Sequence, residues 1–379
     1  MTPLHRKSLT LPILLTFLSF TVGWTLWMRF IRQLFPGLPA SITATYYQGV
    51  PPETNPWLEP WQRWDTLHYQ AIAERGYAAF DTAYFTPPLF PYLMRWLTPL
   101  FDGNSLAAGL FVSTAAFLGC LFAIHRLSLL ESDDASTAMR TVIYLASFPT
   151  AFFLMAAYSE SLFLLSAILC LYFSRKRRWL AAGLAGGFAA LARIPGLVLA
   201  APLAYAAWEA WRQGDRRGWL APLGMGALTA TWYAWLWFGL GQPPTVVLEA
   251  LQQRGGHLTL PGLNLLAALQ RIVSAELILE NSLELGFALL FILLTVFIWK
   301  MLPRLYGLYA ATLMLFFLSR MGSPQPLVSM ARYCLEIFPA FLLLARWGSR
   351  PRIHRLILYL SWIGLLFLSA QFAIWGWVG

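Results

Sequence analysis

Eleven apolar segments run through the chain, and mostly short polar segments separate them. The bilayer offers the backbone no hydrogen-bond partners, so an apolar segment of about 20 residues crosses it as a helix. Only 12% of the residues are charged, against about a quarter in soluble domains. The sequence therefore predicts an all-α polytopic membrane protein with spans at about 9–31, 105–126, 138–157, 159–174, 179–193, 195–211, 219–240, 282–300, 305–319, 331–346 and 356–377.

The positions of the basic residues predict how these spans are oriented in the membrane. The chain has 27 of them and a net charge of +10, and they lie in short runs such as 175–178 rather than on a soluble face that could bind nucleic acid. With the N-terminus in the cytoplasm, most of them fall on short inner loops, as the positive-inside rule requires. We expect one domain, 1–379, in the inner (plasma) membrane, with the C-terminus outside and two long outer segments at about 32–104 and 241–281.

The first outer segment contains a polar and aromatic motif, Trp64-Asp65-Thr66-Leu67-His68-Tyr69. Asp65 is a preferred N-cap residue and Gly76 a preferred stop, so the spacing predicts a short helix between them. On that helix Asp65, His68 and Tyr69 share one face. A capped helix at the membrane surface and a functional site both fit this pattern. The proline-rich stretch after it, 82–101, predicts short interfacial pieces instead of one helix.

Further polar side chains are predicted on the same side of the membrane, where charges are costly and mark candidate sites. Glu160 has a simple alternative as a helix-start carboxylate, and the arginines have one as interfacial side chains. Together, one carboxylate can deprotonate an acceptor hydroxyl, while arginine forks match phosphate oxygens. Beside Asp65, the candidates are Glu160, Arg193, Arg320 and Arg332.

Metal and disulfide chemistry have little support in the sequence. The three cysteines, Cys120, Cys170 and Cys334, lie far apart in or beside apolar segments, without metal-ligand spacing. We interpret them as small buried hydrophobic residues. No phosphate-cradling P-loop or metal-binding histidine cluster is present either. The sequence predicts no cofactor and demands no divalent metal.

Four stretches resemble the PIG-V family of GPI-assembly mannosyltransferases and its bacterial relatives. Trp64-Asp65 with His68-Tyr69 and Gly76-Tyr77 is similar to the opening motif. Phe148-Pro149 leading into Tyr158-Ser159-Glu160-Ser161 is similar to the second block. Arg193 with Gly196 resembles an Arg-x-x-Gly turn, and Arg332-Tyr333 through Phe338-Pro339 resembles the late block. The likeness spans about residues 60–345.

The resemblance implies the GT-C architecture, a many-helix membrane enzyme that agrees with the eleven predicted spans, with a catalytic aspartate on the first outer loop, here Asp65. It implies a polyprenyl-phosphate-linked hexose donor, most simply mannose, and inversion at the anomeric carbon. We then expect His68 and Tyr69 to shape the sugar and acceptor site, and Arg193, Arg332 and Arg320 to hold the lipid phosphate. Glu160 would orient the donor sugar or one of these arginines, and Trp64, Tyr158 and Tyr333 would also contact the substrate. Thr86-Pro87-Pro88 replaces the family's usual Phe-Pro pair, which affects acceptor identity more than donor chemistry.

Other functions stay open at this point. A transporter or flippase of lipid-linked sugars could use the same arginines, although it would need polar groups down to the cytoplasmic side. A non-catalytic subunit of a glycosylation complex would use Asp65 only as a cap. The sugar could also be arabinose or glucose. The expected partners are the bilayer, the lipid-linked donor and a lipid or glycan acceptor, and the sequence does not specify a protein partner.

Overall fold

The computed structural model describes residues 3–35, 44–376 and 378. Within them the regular secondary structure is helical apart from one antiparallel pair of two-residue strands, β1 (His257–Leu258) and β2 (Arg320–Met321), which the all-α prediction did not include. The α-helices are α1 (Pro3–Leu34), α2 (Asp65–Arg75), α3 (Leu89–Leu97), α4 (Ser105–Ser132), α5 (Ala135–Ala146), α6 (Glu160–Arg175), α7 (Trp179–Ala192), α8 (Ala200–Arg212), α9 (Leu220–Ala234), α10 (Val246–Gln253), α11 (Leu263–Val273), α12 (Ile278–Met301), α13 (Arg304–Leu318), α14 (Met330–Cys334), α15 (Pro339–Trp347) and α16 (Pro351–Ala373).

Among the described residues, four helices are long and apolar enough to cross a bilayer: α1 over Thr10–Leu34, α4, α12 and α16. Helices α7, α11 and α13 are apolar but shorter. The chain is therefore a multi-pass membrane protein by its helices, while the predicted number of eleven spans is not confirmed.

Two predicted spans are interrupted by turns. Over 138–157, α5 ends at Ala146 and a turn and a 3-10 helix (Ala151–Leu154) follow. Over 331–346, α14 ends at Cys334 and α15 starts at Pro339. Pro149 and Pro339 explain both breaks, since proline has no backbone N–H and excludes the helical conformation of the residue before it.

The first long segment, 32–104, contains α2, α3 and a series of short 3-10 helices, and its residues 36–43 lie outside the described residues. The 3-10 helices are Ala44–Tyr46, Glu59–Trp61, Tyr77–Ala79, Asp81–Phe85 and Thr98–Phe101. The prediction of short helical pieces is thus confirmed, and their interfacial position stays a prediction. The second segment, 241–281, contains α10, β1, α11, which ends at Val273, and the start of α12.

The chain forms two compact units, and the single-domain organisation stays a prediction. The first unit comprises Met1–Ala79, Phe90–Leu165 and Leu344–Val378. Inside it α1 packs on its neighbours with an aromatic stripe: Phe20 stacks on Trp362 of α16 at 5.2 Å between ring centroids, and Trp24 stacks on Phe117 of α4 at 5.8 Å. Phe20 and Trp24 are one turn apart, so they face the same side of α1.

The segment 147–161 of this unit, which ends in the first turn of α6, is buried except for the half-buried Pro149, and before α6 its one regular element is the short 3-10 helix. Side chains of α4 satisfy part of its backbone: the Ser113 hydroxyl donates to the Tyr158 carbonyl at 2.9 Å, and the Cys120 thiol donates to the Ser161 carbonyl at 3.2 Å. Irregular backbone at membrane depth is tolerated when protein groups satisfy it in this way. This fixes the start of α6, where Glu160 lies.

The second unit comprises Phe80–Leu89 and Ser166–Leu343. In it α7 packs closely against α9: a Cβ at Gly183 would lie 2.4 Å from the Ala221 carbonyl oxygen. Only glycine permits this approach of two backbones. Membrane helices associate through such close packing, because the hydrophobic effect does not drive helices together inside a bilayer. The three cysteines are buried in their respective units, as predicted.

Candidate functional site

The predicted helix at Asp65 exists, but its first turn differs from the prediction. Asp65 is the first residue of α2, and Trp64 is the N-cap, with φ 48° and no side-chain capping bond. The prediction of Asp65 as the N-cap is therefore wrong. A tryptophan with positive φ is a strained conformation that costs about 1–3 kcal/mol and persists only where surrounding contacts enforce it. The predicted stop is confirmed, with Gly76 at φ 81°.

Contacts on both sides of Trp64 enforce this conformation. The Asp65 N–H donates to the Tyr158 hydroxyl at 3.1 Å, and that hydroxyl donates to the Arg63 carbonyl at 3.3 Å. The Trp64 indole donates to the Gly376 carbonyl at 3.3 Å and its ring meets Trp375 edge-on at 5.6 Å. The Asp65 side chain itself stays half-buried, so it is accessible to a substrate hydroxyl.

Arg63 anchors the same turn and was missed by the sequence analysis. Its side chain is fully buried, pairs with Glu59 at 2.7 Å and donates to the Ala373 carbonyl at 2.9 Å. Glu59 also pairs with Arg32 of α1 at 3.0 Å. The signal available in the sequence was the proximity of Arg63 to the motif and its i, i+4 spacing to Glu59.

The two residues before Glu160 bind α2. Tyr158 holds the Asp65 backbone, and the Ser159 hydroxyl bonds to the Tyr69 hydroxyl at 2.7 Å. Tyr69 is buried and meets Phe90 edge-on at 4.8 Å, whereas His68 is half-buried. Glu160, the first residue of α6, is 1% exposed. The first unit thus brings together the predicted residues from both early motifs: Trp64, Asp65, His68, Tyr69, Tyr158 and Glu160.

In the second unit the three predicted arginines surround Tyr333. Their guanidinium carbons lie 5.6 Å (Arg193), 5.4 Å (Arg320) and 5.3 Å (Arg332) from the centre of its ring. Arg320 also donates to the Tyr333 hydroxyl at 3.2 Å. The end of α7 and strand β2 therefore bring Arg193 and Arg320 to the ring of Tyr333, whose sequence neighbour is Arg332, and a ring face attracts cations.

Local structure explains how Arg193 reaches this cluster. It is the C-cap of α7 with extended backbone, and a 3-10 helix, Ile194–Leu199, turns the chain back. A Cβ at Gly196 would lie 2.4 Å from the Ala189 backbone, so the turn requires glycine here. Arg320 is held differently, by the pairing of β2 with β1.

Two carboxylates balance part of this positive charge, and neither was predicted. Glu336 lies 3.0 Å from the Arg193 Nε and is 1% exposed. Glu284 of α12 accepts the Ala331 N–H at 2.7 Å. The sequence offered a sign of each: Glu336 follows Arg332 by four residues. Glu284 is an acidic residue in an apolar helix, which marks a candidate functional residue. Together we call Arg193, Arg320, Arg332, Tyr333, Glu284 and Glu336 the arginine cluster.

Within the described part of the chain, no three His, Cys, Asp or Glu side chains come close enough together to hold a metal ion. The cluster's donors are guanidinium groups, which bind anions. The absence of a metal requirement stays a prediction.

Comparison with known proteins agrees with the site motifs. Residues 45–211 match the family model described as mannosyltransferase (PIG-V). The matched range includes Asp65, Glu160 and Arg193, while Arg320 and Arg332 lie beyond it. No curated protein sequence matches the chain.

Among solved structures, the chain is similar to the crystal structure of ArnT from Cupriavidus metallidurans bound to undecaprenyl phosphate. The TM-score is 0.53 at 16% sequence identity, over 79% of this chain and 57% of that one. The chain thus spans little more than half the length of that protein. At this identity the likeness concerns the fold alone.

Proposed function

We propose that this chain is a member of the PIG-V mannosyltransferase family, whose model matches residues 45–211, and that it transfers a hexose, specifically mannose, from a polyprenyl-phosphate donor to a hydroxyl of a lipid or glycan acceptor. The observation that carries the proposal is the convergence of Arg193, Arg320 and Arg332 on Tyr333. These arginines outnumber the two carboxylates beside them. Undecaprenyl phosphate bound to the similar ArnT structure supports a lipid phosphate as the matching anion.

The leaving group determines what the arginine cluster does. When the bond between the anomeric carbon and the phosphate oxygen breaks, the negative charge on the phosphate increases. Guanidinium groups stabilise this charge with paired N–H donors, and they do so best where water is excluded. Arg193 and Arg332 are both buried. The lipid phosphate would therefore leave without being protonated.

The acceptor requires a base, and we assign this role to Asp65. Its carboxylate takes the proton of the acceptor hydroxyl while the oxygen attacks the anomeric carbon from the face opposite the phosphate. The configuration inverts, because bond formation and bond breakage occur on opposite faces in one step. Asp65 is half-buried and starts a helix, so its side chain is accessible.

The other predicted residues are assigned supporting roles. Tyr158 and Tyr69 hold α2 through hydrogen bonds to Asp65 and Ser159, and so position the base. We assign His68 and Trp64 to the walls of the sugar and acceptor site. Glu160, nearly without exposure at the start of α6, would orient the donor or a guanidinium group. The active site is proposed to open to the non-cytoplasmic face, where nucleotide sugars are absent and a lipid-linked donor is needed.

The test is a single-turnover transfer of labelled mannose from polyprenyl-phosphate-mannose into an extract of host lipids, in nanodiscs. Asp65→Asn is expected to lose at least about 100-fold in rate, the usual contribution of a positioned base. Asp102→Asn is the matched control, because Asp102 is exposed and its φ of 53° suits asparagine equally well. Transfer by both variants at the wild-type rate would remove Asp65 from its role. Transfer by neither variant nor the wild type would favour a non-catalytic subunit or a transporter.

A further inference from the structure

A second basic site lies at the far end of the helices that deliver the arginine cluster. Helix α7 begins at Trp179 and ends next to Arg193, and α13 begins at Arg304 and ends two residues before Arg320. With 14 residues in α7, these ends are about 21 Å apart. Within the second unit the chain therefore has basic groups at both ends of the same helices.

At this far end a cavity of about 410 Å³ opens among four helix termini. Its walls come from the end of α6, the start of α7, the second half of α8 and the start of α13. Three arginines line it against one glutamate: Arg175, Arg177, Arg304 and Glu209. All four side chains are exposed to water. The volume is in the range of cavities that hold small ligands.

The remaining wall residues show what kind of ligand fits. Trp179 donates its indole N–H to Asp215 at 2.9 Å, so it presents ring surface rather than a polar group. Ala206, Pro303 and Leu305 add apolar wall. Tyr205 donates to Glu209 and interacts with Arg304, and Arg177 donates to Gln213. The cavity thus combines positive charge with an apolar side, which suits a phosphate group attached to a carbon chain.

We propose that this cavity binds the phosphate group of an anionic phospholipid or of a soluble phosphate ester, at the end of the helices opposite the arginine cluster. Basic pockets between membrane helices recognise anionic head groups in this manner. The positive-inside rule alone would explain arginines that are scattered over short inner loops. The gathering of three of them around one cavity with an apolar wall is the observation that goes beyond topology.

The experiment measures bound lipid and thermal stability in nanodiscs made of phosphatidylcholine alone or of equal parts phosphatidylcholine and phosphatidylglycerol. The variants are Arg177→Gln, Arg304→Gln and their combination, all at exposed positions. Arg216→Gln is the matched control: Arg216 is exposed in the nearby turn after α8 but does not line the cavity. Gel filtration and melting in pure phosphatidylcholine verify that each variant is folded.

We expect native mass spectrometry to find phosphatidylglycerol retained by the wild type from the mixed discs. Each single variant should weaken this retention about fivefold, which corresponds to the contribution of one arginine near an anionic surface. The control should retain lipid like the wild type. This outcome supports a lipid head group as the ligand.

A second experiment tests whether the ligand is a soluble phosphate ester. Glycerol phosphate is added to protein in phosphatidylcholine discs, and an increase in Tm for the wild type but not for the double variant supports a soluble phosphate ester. The proposal is overturned if Arg216→Gln loses as much as the cavity variants, or if neither probe distinguishes the wild type from the double variant. Sugar transfer is not part of the readout, so failure here is independent of the proposed enzymatic function.

Discussion

Tyr158 fixes the backbone of Asp65: its hydroxyl accepts the Asp65 N–H at 3.1 Å and donates to the Arg63 carbonyl at 3.3 Å. The two bonds bracket Trp64, the residue with strained backbone. Tyr158→Phe removes both bonds while it preserves the ring, which packs on Phe153 at 5.0 Å. We expect kcat/KM to fall about 10- to 100-fold, since a shift of about 1 Å at a catalytic group has effects of this size.

Tyr144→Phe is the matched control for this prediction. The Tyr144 hydroxyl is 2.7 Å from the His354 Nδ1, between α5 and α16 of the same unit, and Tyr144 is equally buried. Both variants should lose about 1–2 kcal/mol of unfolding free energy, the cost of a broken buried hydrogen bond. Only Tyr158→Phe should lose activity. Equal activity in the two variants would contradict a positioning role for Tyr158.

The ion pair between Arg193 and Glu336 is the second test. Glu336→Gln leaves the buried guanidinium group without its carboxylate, and breaking a buried pair costs about 3–5 kcal/mol. Because a bound phosphate supplies negative charge of its own, added polyprenyl phosphate should raise the Tm of this variant more than that of the wild type. Thermal unfolding with and without the lipid measures both effects.

The control for this pair is Glu276→Gln. Glu276 pairs with Arg271, but both side chains are largely exposed, at 54% and 37%. Exposed pairs contribute at most about 1 kcal/mol, so this variant should melt near the wild type and gain nothing from the lipid. A Glu336→Gln variant that behaves in the same way would show that the arginine cluster does not depend on its carboxylate.

Particular residues show how far sequence reasoning reaches in this chain. Asp65 and Gly76 bound a helix because start and stop residues act locally. The sequence predicted three arginines on the same side of the membrane, Arg193, Arg320 and Arg332. In the structure they lie around Tyr333. Glu336 and its pairing with Arg193 were missed, because 143 positions separate the two along the sequence and only tertiary packing joins them.

The hydropathy pattern gave the wrong prediction for two segments in which a proline ends the helix. The segments 138–157 and 331–346 are apolar throughout most of their length, but each has a proline where the helix breaks. A hydropathy window averages over such a residue, whereas one missing N–H and one steric clash end the helix. The positive φ of Trp64 was likewise not predictable, since tryptophan has no preference for it and distant contacts impose it.

Membrane orientation follows from the distribution of arginines and is tested by cysteine labelling. Ser323→Cys and Ser349→Cys each place a thiol at an exposed position, one predicted outside and the other inside. The three native cysteines are buried, so their background should be low. An impermeant maleimide added to intact cells should label only Ser323→Cys, and permeabilisation should be needed for Ser349→Cys. The reverse pattern would invert the proposed topology.

The pairing of Glu59 with Arg63 and Arg32 predicts a dependence of stability on pH. Burial raises the pKa of Glu59, but the two guanidinium groups outweigh it and the pKa is lowered overall. A carboxyl group whose pKa is lowered by folding stabilises the folded state above its unfolded pKa, about 4.3, and this contribution is lost as the pH falls through the folded pKa.

Glu59→Gln should therefore destabilise the protein at neutral pH and remove this acid-dependent loss. We expect a decrease of about 2–3 kcal/mol, somewhat below the cost of breaking a fully buried pair, because Arg63 is fully buried but Glu59 is only partly so. Melting curves from pH 7 down to about 3 measure both effects, with Glu249→Gln, at an exposed carboxylate of α10, as the control. If Glu59→Gln and the wild type lose stability in parallel as the pH falls, Glu59 is not the group that titrates.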